Sequence, residues 1–161
     1  MVNNKNILLT AFCGSSSELL LKGTEIYETL ILPNDKVKDS EKLINAISKG
    51  KFDYIISFGQ RPNIKNKVHI ETRAHYKEFY ISTNFDCDKL DMLFKQSKII
   101  SRISHNAGTS FCNELYLNGL KYIFQKNLDT KMIFLYIPFS KNIDDFNRFS
   151  KQIFDVIAGI E

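Results

Sequence analysis

Ten consecutive residues, Ser104-His105-Asn106-Ala107-Gly108-Thr109-Ser110-Phe111-Cys112-Asn113, carry the strongest chemical signal in the chain. A strand pattern ends in a turn of small residues that leads directly into a helical pattern, and Cys112 falls in the first helical turn. Unpaired N–H groups and the helix dipole favour a thiolate there, and the same N–H groups could hold a tetrahedral oxyanion. The geometry resembles a nucleophile elbow made with cysteine. The plainer alternative is that a free Cys flanked by Phe111 and Leu115 is a small buried hydrophobe.

Two other turns could carry chemistry. Gly59-Gln60-Arg61-Pro62 is followed by Glu71 and Arg73, a carboxylate with guanidinium neighbours, which is most often an ion pair at a rim. Near the start, Phe12-Cys13-Gly14 runs into Ser15, Ser16 and Ser17, where a helix N-terminus could receive an anion or simply be capped. His69, His75 and His105 are the only histidines. On a strand, His69 would share a face with Glu71, and His105 lies on the turn toward Cys112. Three scattered histidines and one nearby carboxylate show no metal-ligand spacing, and no metal or cofactor is expected.

These residues need elements to position them. Asn6 to Phe12 reads as a strand, and Glu18 to Lys22 as a short helix capped by the serines. Ile26 to Leu32 reads as a strand ended by Pro33, with a helix capped by Ser40 and stopped at Gly50. Tyr54 to Phe58 is a buried strand broken by a turn at Gly59 to Asn63. Val68 to Tyr76 and Phe79 to Ile81 are shorter strand or loop pieces. Asp86 to Gln96 is a helix and Lys98 to Ser104 a strand. Phe111, Leu115, Gly119 and Ile123 recur at helical spacing, Met132 to Ile137 is a strand, and Ile143 to Ile157 forms the cleanest helical stripe. Alternating strands and helices predict an α/β, three-layer αβα sandwich around a mostly parallel or mixed central sheet.

Composition bounds the rest. With 161 residues, 43% hydrophobic and 25% charged, the chain can bury a core as one domain without staples. The apolar stretch Ile7 to Phe12, preceded by Asn3, Asn4, Lys5 and Asn6, is too short and polar for a signal peptide or spanning helix, which predicts a cytoplasmic protein with no membrane partner. Cys13, Cys87 and Cys112 are odd in number and widely spaced, unlike a disulfide framework or a zinc site. The net charge of +4 is spread among acidic residues without a basic stripe interleaved with aromatics, so no nucleic acid is expected. Abundant Lys, Ile and Asn suggest AT-rich codons and a low-GC bacterium.

The stretch SHNAGTSFCNELYLNGL resembles the cysteine signature of the pyroglutamyl peptidase I family, cysteine peptidases that remove an N-terminal pyroglutamyl residue. In that signature a serine-led turn runs into Ala-Gly-Thr, two variable residues and Cys-Asn. LLTAF resembles the family's first strand with its Thr-Gly-Phe. DYIISFGQRP with VHIETRA resembles its Gly-Gln loop and Glu-Arg-Val-Ala segment, and MIFLYIPFS its late strand ending in Val-Pro or Ile-Pro. The matches run in order from about Asn6 to Ser140, which implies a single pyroglutamyl-peptidase-like domain over 1–161.

By this resemblance Cys112 would be the nucleophile and Glu71 the acidic member that orients a base. Phe12, Gln60 and Phe111 would line the substrate pocket, and the substrate would be an N-terminally blocked peptide or another small molecule. The family's histidine, two residues before the late Pro, is here Tyr136. A neutral phenol cannot accept the thiol proton and return it near neutral pH as imidazole does. The first loop is contracted to Phe12-Cys13-Gly14, Thr72 replaces the Arg after the family's Glu, and the segment before the next helix is short for the family. The chain thus reads as a divergent cysteine peptidase of this type, with His69, His75 or His105 as candidate substitute bases. A catalytically silent protein that binds a small molecule, peptide end or protein partner in the old cleft is the alternative. A third reading is an anion-binding regulator using Gly14 to Ser17. Self-association is left open.

Overall fold

The computed structural model describes residues 4–160, so Asn3 and both ends of the expected domain lie outside the described residues. In chain order the elements are β1 (Ile7–Phe12), α1 (Ser16–Leu21), β2 (Glu28–Leu32), α2 (Lys36–Lys49), β3 (Tyr54–Arg61), β4 (Lys67–Glu71), β5 (Arg73–Tyr76) and β6 (Phe79–Ser82). They continue with α3 (Cys87–Gln96), β7 (Ile100–Ser104), α4 (Phe111–Gln125), β8 (Lys131–Pro138) and α5 (Phe146–Ala158). Six strands form one sheet in the order β2-β1-β3-β8-β4-β7, while β5 and β6 make a separate hairpin. Strands β2, β1, β3 and β8 run parallel. β4 runs antiparallel to β8, and β7 parallel to β4.

Alternation along the strands sends side chains into two cores. Ile7, Leu9 and Ala11 of β1 and Ile133, Leu135 and Ile137 of β8 pack with α1, α3 and α5. Leu8 and Phe12 of β1 and Met132, Phe134 and Tyr136 of β8 pack with α2 and α4. The central strands are therefore apolar on both faces, which is why β1 reads as an unbroken buried run. This is a three-layer αβα sandwich on a mixed, mostly parallel sheet. Among the described residues, no helix is long and apolar enough to cross a membrane.

Local chemistry shifts several expected boundaries. α2 is capped by Asp35, whose Oδ1 accepts from Val37 N (3.0 Å) and Lys38 N (2.9 Å). Ser40 lies inside that helix, bonded back to Lys36 O. The serines before α1 supply no side-chain cap, because Ser15 Oγ turns back to Phe12 O (2.7 Å). Ile26 precedes β2 in a turn held by Thr24 and is 87% exposed. The 68–76 segment splits at Thr72 into strands of two different sheets. β7 starts at Ile100, since Lys98 adopts a positive φ. α5 starts at Phe146 behind its Asp145 cap, so Ile143 packs from the turn before it.

The largest shift is at Gly59. The first three residues of the expected turn continue β3, where Gly59, Gln60 and Arg61 pair with Tyr136, Ile137 and Pro138, and the chain turns only at Pro62 and Asn63. A glycine inside a strand marks close approach of another group, and here that group is a thiol.

Candidate active site

The α2/α4 face of the sheet carries a row of partners across three strands, since Tyr136 of β8 stands opposite Gly59 of β3 on one side and His69 of β4 on the other. Above Gly59 sits Cys112. A Cβ added at Gly59 would lie 2.7 Å from Cys112 Sγ and 2.9 Å from the Phe134 ring, so only glycine leaves room for the thiol. Cys112 is the second residue of α4. The first helical bond of that turn runs from Glu114 N to Ser110 O, and the N–H groups of Phe111 and Cys112 precede the ladder.

The thiol is half-buried against the Tyr136 hydroxyl. Burial pushes Cys112 above its ordinary thiol range. Hydrogen bonds with Tyr136 and Ser110 and the charge of Arg61 offset part of this shift. The helix terminus was expected to favour a thiolate; desolvation outweighs it. Burial also pushes the Tyr136 phenol upward. Its O–H donates to Ala107 O at 2.6 Å, so that carbonyl competes with the Cys112 sulfur for the one phenolic proton.

Behind Tyr136 lies an ionic cluster. Arg61 reaches across the Tyr136 ring, with its guanidinium carbon 3.9 Å from the ring centroid, and donates to Glu71 Oε1 (3.1 Å), His69 Nδ1 (3.1 Å) and Asn106 O (2.8 Å). Ser104 Oγ donates to the other carboxylate oxygen at 2.8 Å. Glu71 is fully buried, so its pair with Arg61 is not the rim contact expected from sequence. Burial raises the Glu71 carboxyl above its usual range, and Ser104 and Arg61 restrain the rise. Tyr116 Oη, also buried, donates to Glu71 O. Arg73 is placed elsewhere, over the Tyr80 ring and bonded to His105 O.

The three histidines have fixed roles. Because arginine can only donate, His69 Nδ1 is the acceptor of the Arg61 contact, and a neutral ring then carries its proton on Nε2. Burial and the Arg61 charge lower the His69 pKa and keep the ring neutral. Such a ring has no free lone pair for the proton of Cys112. His75 Nε2 donates to His105 O (2.9 Å), and His105 Nδ1 pairs with Thr72 Oγ1 (2.6 Å). Asn113, next to Cys112, clamps β5 by accepting from His75 N and donating to His75 O.

Phe12, Gln60, Phe111 and Cys112 line one open cleft of about 410 Å³, with Cys13 and Ser110. The structure thus brings the three pocket candidates to the thiol, while Glu71 and Tyr136 lie buried beside it. The serines of the first loop face the protein: Ser16 N donates to Gln60 Oε1 (3.0 Å), Ser16 Oγ to Pro138 O (2.7 Å), and Ser17 Oγ accepts from Phe12 N (3.3 Å). The anion reading of Gly14 to Ser17 loses those donors. Among the described residues, no group of three metal-ligating side chains converges.

Sequence reasoning missed the reach of Arg61 and the seat at Gly59. The available signal was the period of two: Gly59 and Arg61 share one face of β3, as His69 and Glu71 share one face of β4.

The sequence matches no family model and no curated protein. Solved structures are similar throughout their length. The pyrrolidone carboxyl peptidase of Fervidobacterium islandicum AW-1 superposes with a TM-score of 0.85 at 19% identity, covering 97% of this chain and 98% of that one. The pyroglutamyl peptidase I of Bacillus amyloliquefaciens gives 0.84 at 18% identity, covering 98% and 95%. The pyrrolidone carboxyl peptidase of Thermococcus litoralis gives 0.80 at 16%, covering 98% and 93%. The chain is therefore built on the fold of the pyroglutamyl and pyrrolidone carboxyl peptidases.

Proposed function

We propose that this chain is a divergent relative of the pyroglutamyl peptidases that retains their cleft and thiol as a binding site for an N-terminally blocked peptide or a small amide, without the proton transfer that turnover needs. One observation carries this reading: Tyr136 lies against the Cys112 thiol, donates its hydroxyl hydrogen bond to Ala107 O, and has Arg61 stacked on its ring. A thiol peptidase needs a base that takes the thiol proton and returns it to the leaving amine. A phenol raised by burial and a guanidinium do neither near neutral pH. The three free thiols suit a reducing compartment such as the cytoplasm.

A second reading, a working cysteine peptidase, is favoured by Cys112 at the start of α4 inside the cleft. In that case Cys112 Sγ attacks the pyroglutamyl carbonyl, the α4 N–H groups hold the oxyanion, the amine departs with the thiol's proton, and water cleaves the thioester to the free acid and restores the thiol. Hydrolysis of a fluorogenic pyroglutamyl amide separates the readings. The expected result is no turnover by the parent and measurable turnover by Tyr136→His that disappears when Cys112→Ala is added. Parent turnover lost on Cys112→Ala would establish the peptidase. Silence of Tyr136→His would mean that the cleft, and not the base alone, has been lost for this substrate.

A further inference from the structure

The β5–β6 hairpin stands apart from the main sheet and is finished on one side only. The outer edge of β5 is capped by Asn113, whose side-chain amide imitates a neighbouring strand by bonding both polar groups of His75. β6 has β5 as its one sheet partner among the described residues, so its other edge presents backbone N–H and C=O groups without a ladder. Along this hairpin Tyr76, Phe79 and Tyr80 are 55%, 73% and 55% exposed. With Ile81, Leu117 and the stem of Lys121 they frame a cavity of about 170 Å³. Lys121 lines it, and three cations stand over its aromatic rims: Arg73 over the Tyr80 ring (4.3 Å), with Lys77 (5.4 Å) and Lys121 (6.0 Å) over the Tyr76 ring. Glu78 is the hairpin's single carboxylate.

An open strand edge, an apolar recess and an excess of positive charge define one kind of occupant. We propose that the hairpin docks an extended acidic segment of another protein, which adds as a strand along β6, seats an apolar side chain in the recess beside Phe79 and Leu117, and meets the three cations with its carboxylates. The surface is separate from the cleft and stands whatever the cleft binds.

The test is fluorescence anisotropy with a short labelled peptide in which valine and glutamate alternate. Saturable binding is expected, weakened at least about tenfold by Phe79→Ala and by Lys121→Glu, and lost when alternate peptide amides are N-methylated. Both substituted side chains are solvent-facing, so the variants keep the fold. Absence of binding overturns the proposal, as does equal affinity for a valine–lysine peptide or indifference to Phe79→Ala. Displacement of the peptide by oligothymidylate would replace it with a nucleic-acid surface, and self-association in sedimentation that Phe79→Ala abolishes would replace it with a contact between copies.

Discussion

Replacing Gly59 by Ala would set a methyl carbon 2.7 Å from Cys112 Sγ and 2.9 Å from the Phe134 ring, closer than relaxed carbon contacts allow. Phe134 is fully buried and cannot retreat, so the thiol must move into the cleft. Gly59→Ala should cost about 1–3 kcal/mol of stability in urea unfolding and speed alkylation of Cys112 relative to Cys87, whose thiol burial pushes up to about 11. Unchanged stability and labelling would show that the seat has slack. At this scale the sequence was informative about residue types and silent about reach. Cys112, Glu71, Phe12, Gln60 and Phe111 were all singled out, and the structure gathers them in and beside one cleft. That Arg61 lies over Tyr136, and that His69 is locked by Arg61, depend on a register across three strands from distant parts of the chain. No local pattern encodes that register.

Among the elements, α2 shows how a side chain can work against its helix. Both carboxylate oxygens of Asp39 are buried without a hydrogen-bond partner, and the residue is 1% exposed. The backbone N–H groups of Asn34 and Asp35 attract the charge without reaching hydrogen-bond geometry, and burial raises the carboxyl above its usual 3.8. A raised folded-state pKa means the folded chain holds this proton more tightly than the unfolded chain. The contribution to stability is complete below pH 3.8 and is lost as pH rises through the folded value. Asp39→Asn should therefore gain about 1 kcal/mol at neutral pH and nothing at pH 3, and thermal melts at both values check it. A gain of equal size at both would point to packing instead of charge. Most elements were legible from apolar spacing, since α3, α4 and α5 bury clear stripes. The errors fell where a polar side chain chooses the boundary: Asp35 in place of Ser40 before α2, Asp145 after Ile143 before α5, and Thr72 dividing β4 from β5.

For the whole molecule the decisive fact is the place of β8. It lies between β3 and β4, which follow one another in sequence but do not touch in the sheet. Strand order of this kind is beyond hydrophobic periodicity, which predicted an αβα sandwich and left the neighbours undetermined. A chain of residues 4–128, lacking β8 and α5, should show no cooperative unfolding transition by circular dichroism, because β2-β1-β3 and β4-β7 would have no strand between them and one face of the sheet would lose its longest helix. A sharp transition would mean that one half folds alone.

The same topology sets a clock during synthesis. The end of β4 and the start of β8 are about 60 residues apart, and at roughly 5–20 residues per second a ribosome needs about 3–12 s to cover them. For that interval the nascent chain carries two apolar strands whose facing edges await a partner not yet made, and a holding chaperone would find its client there.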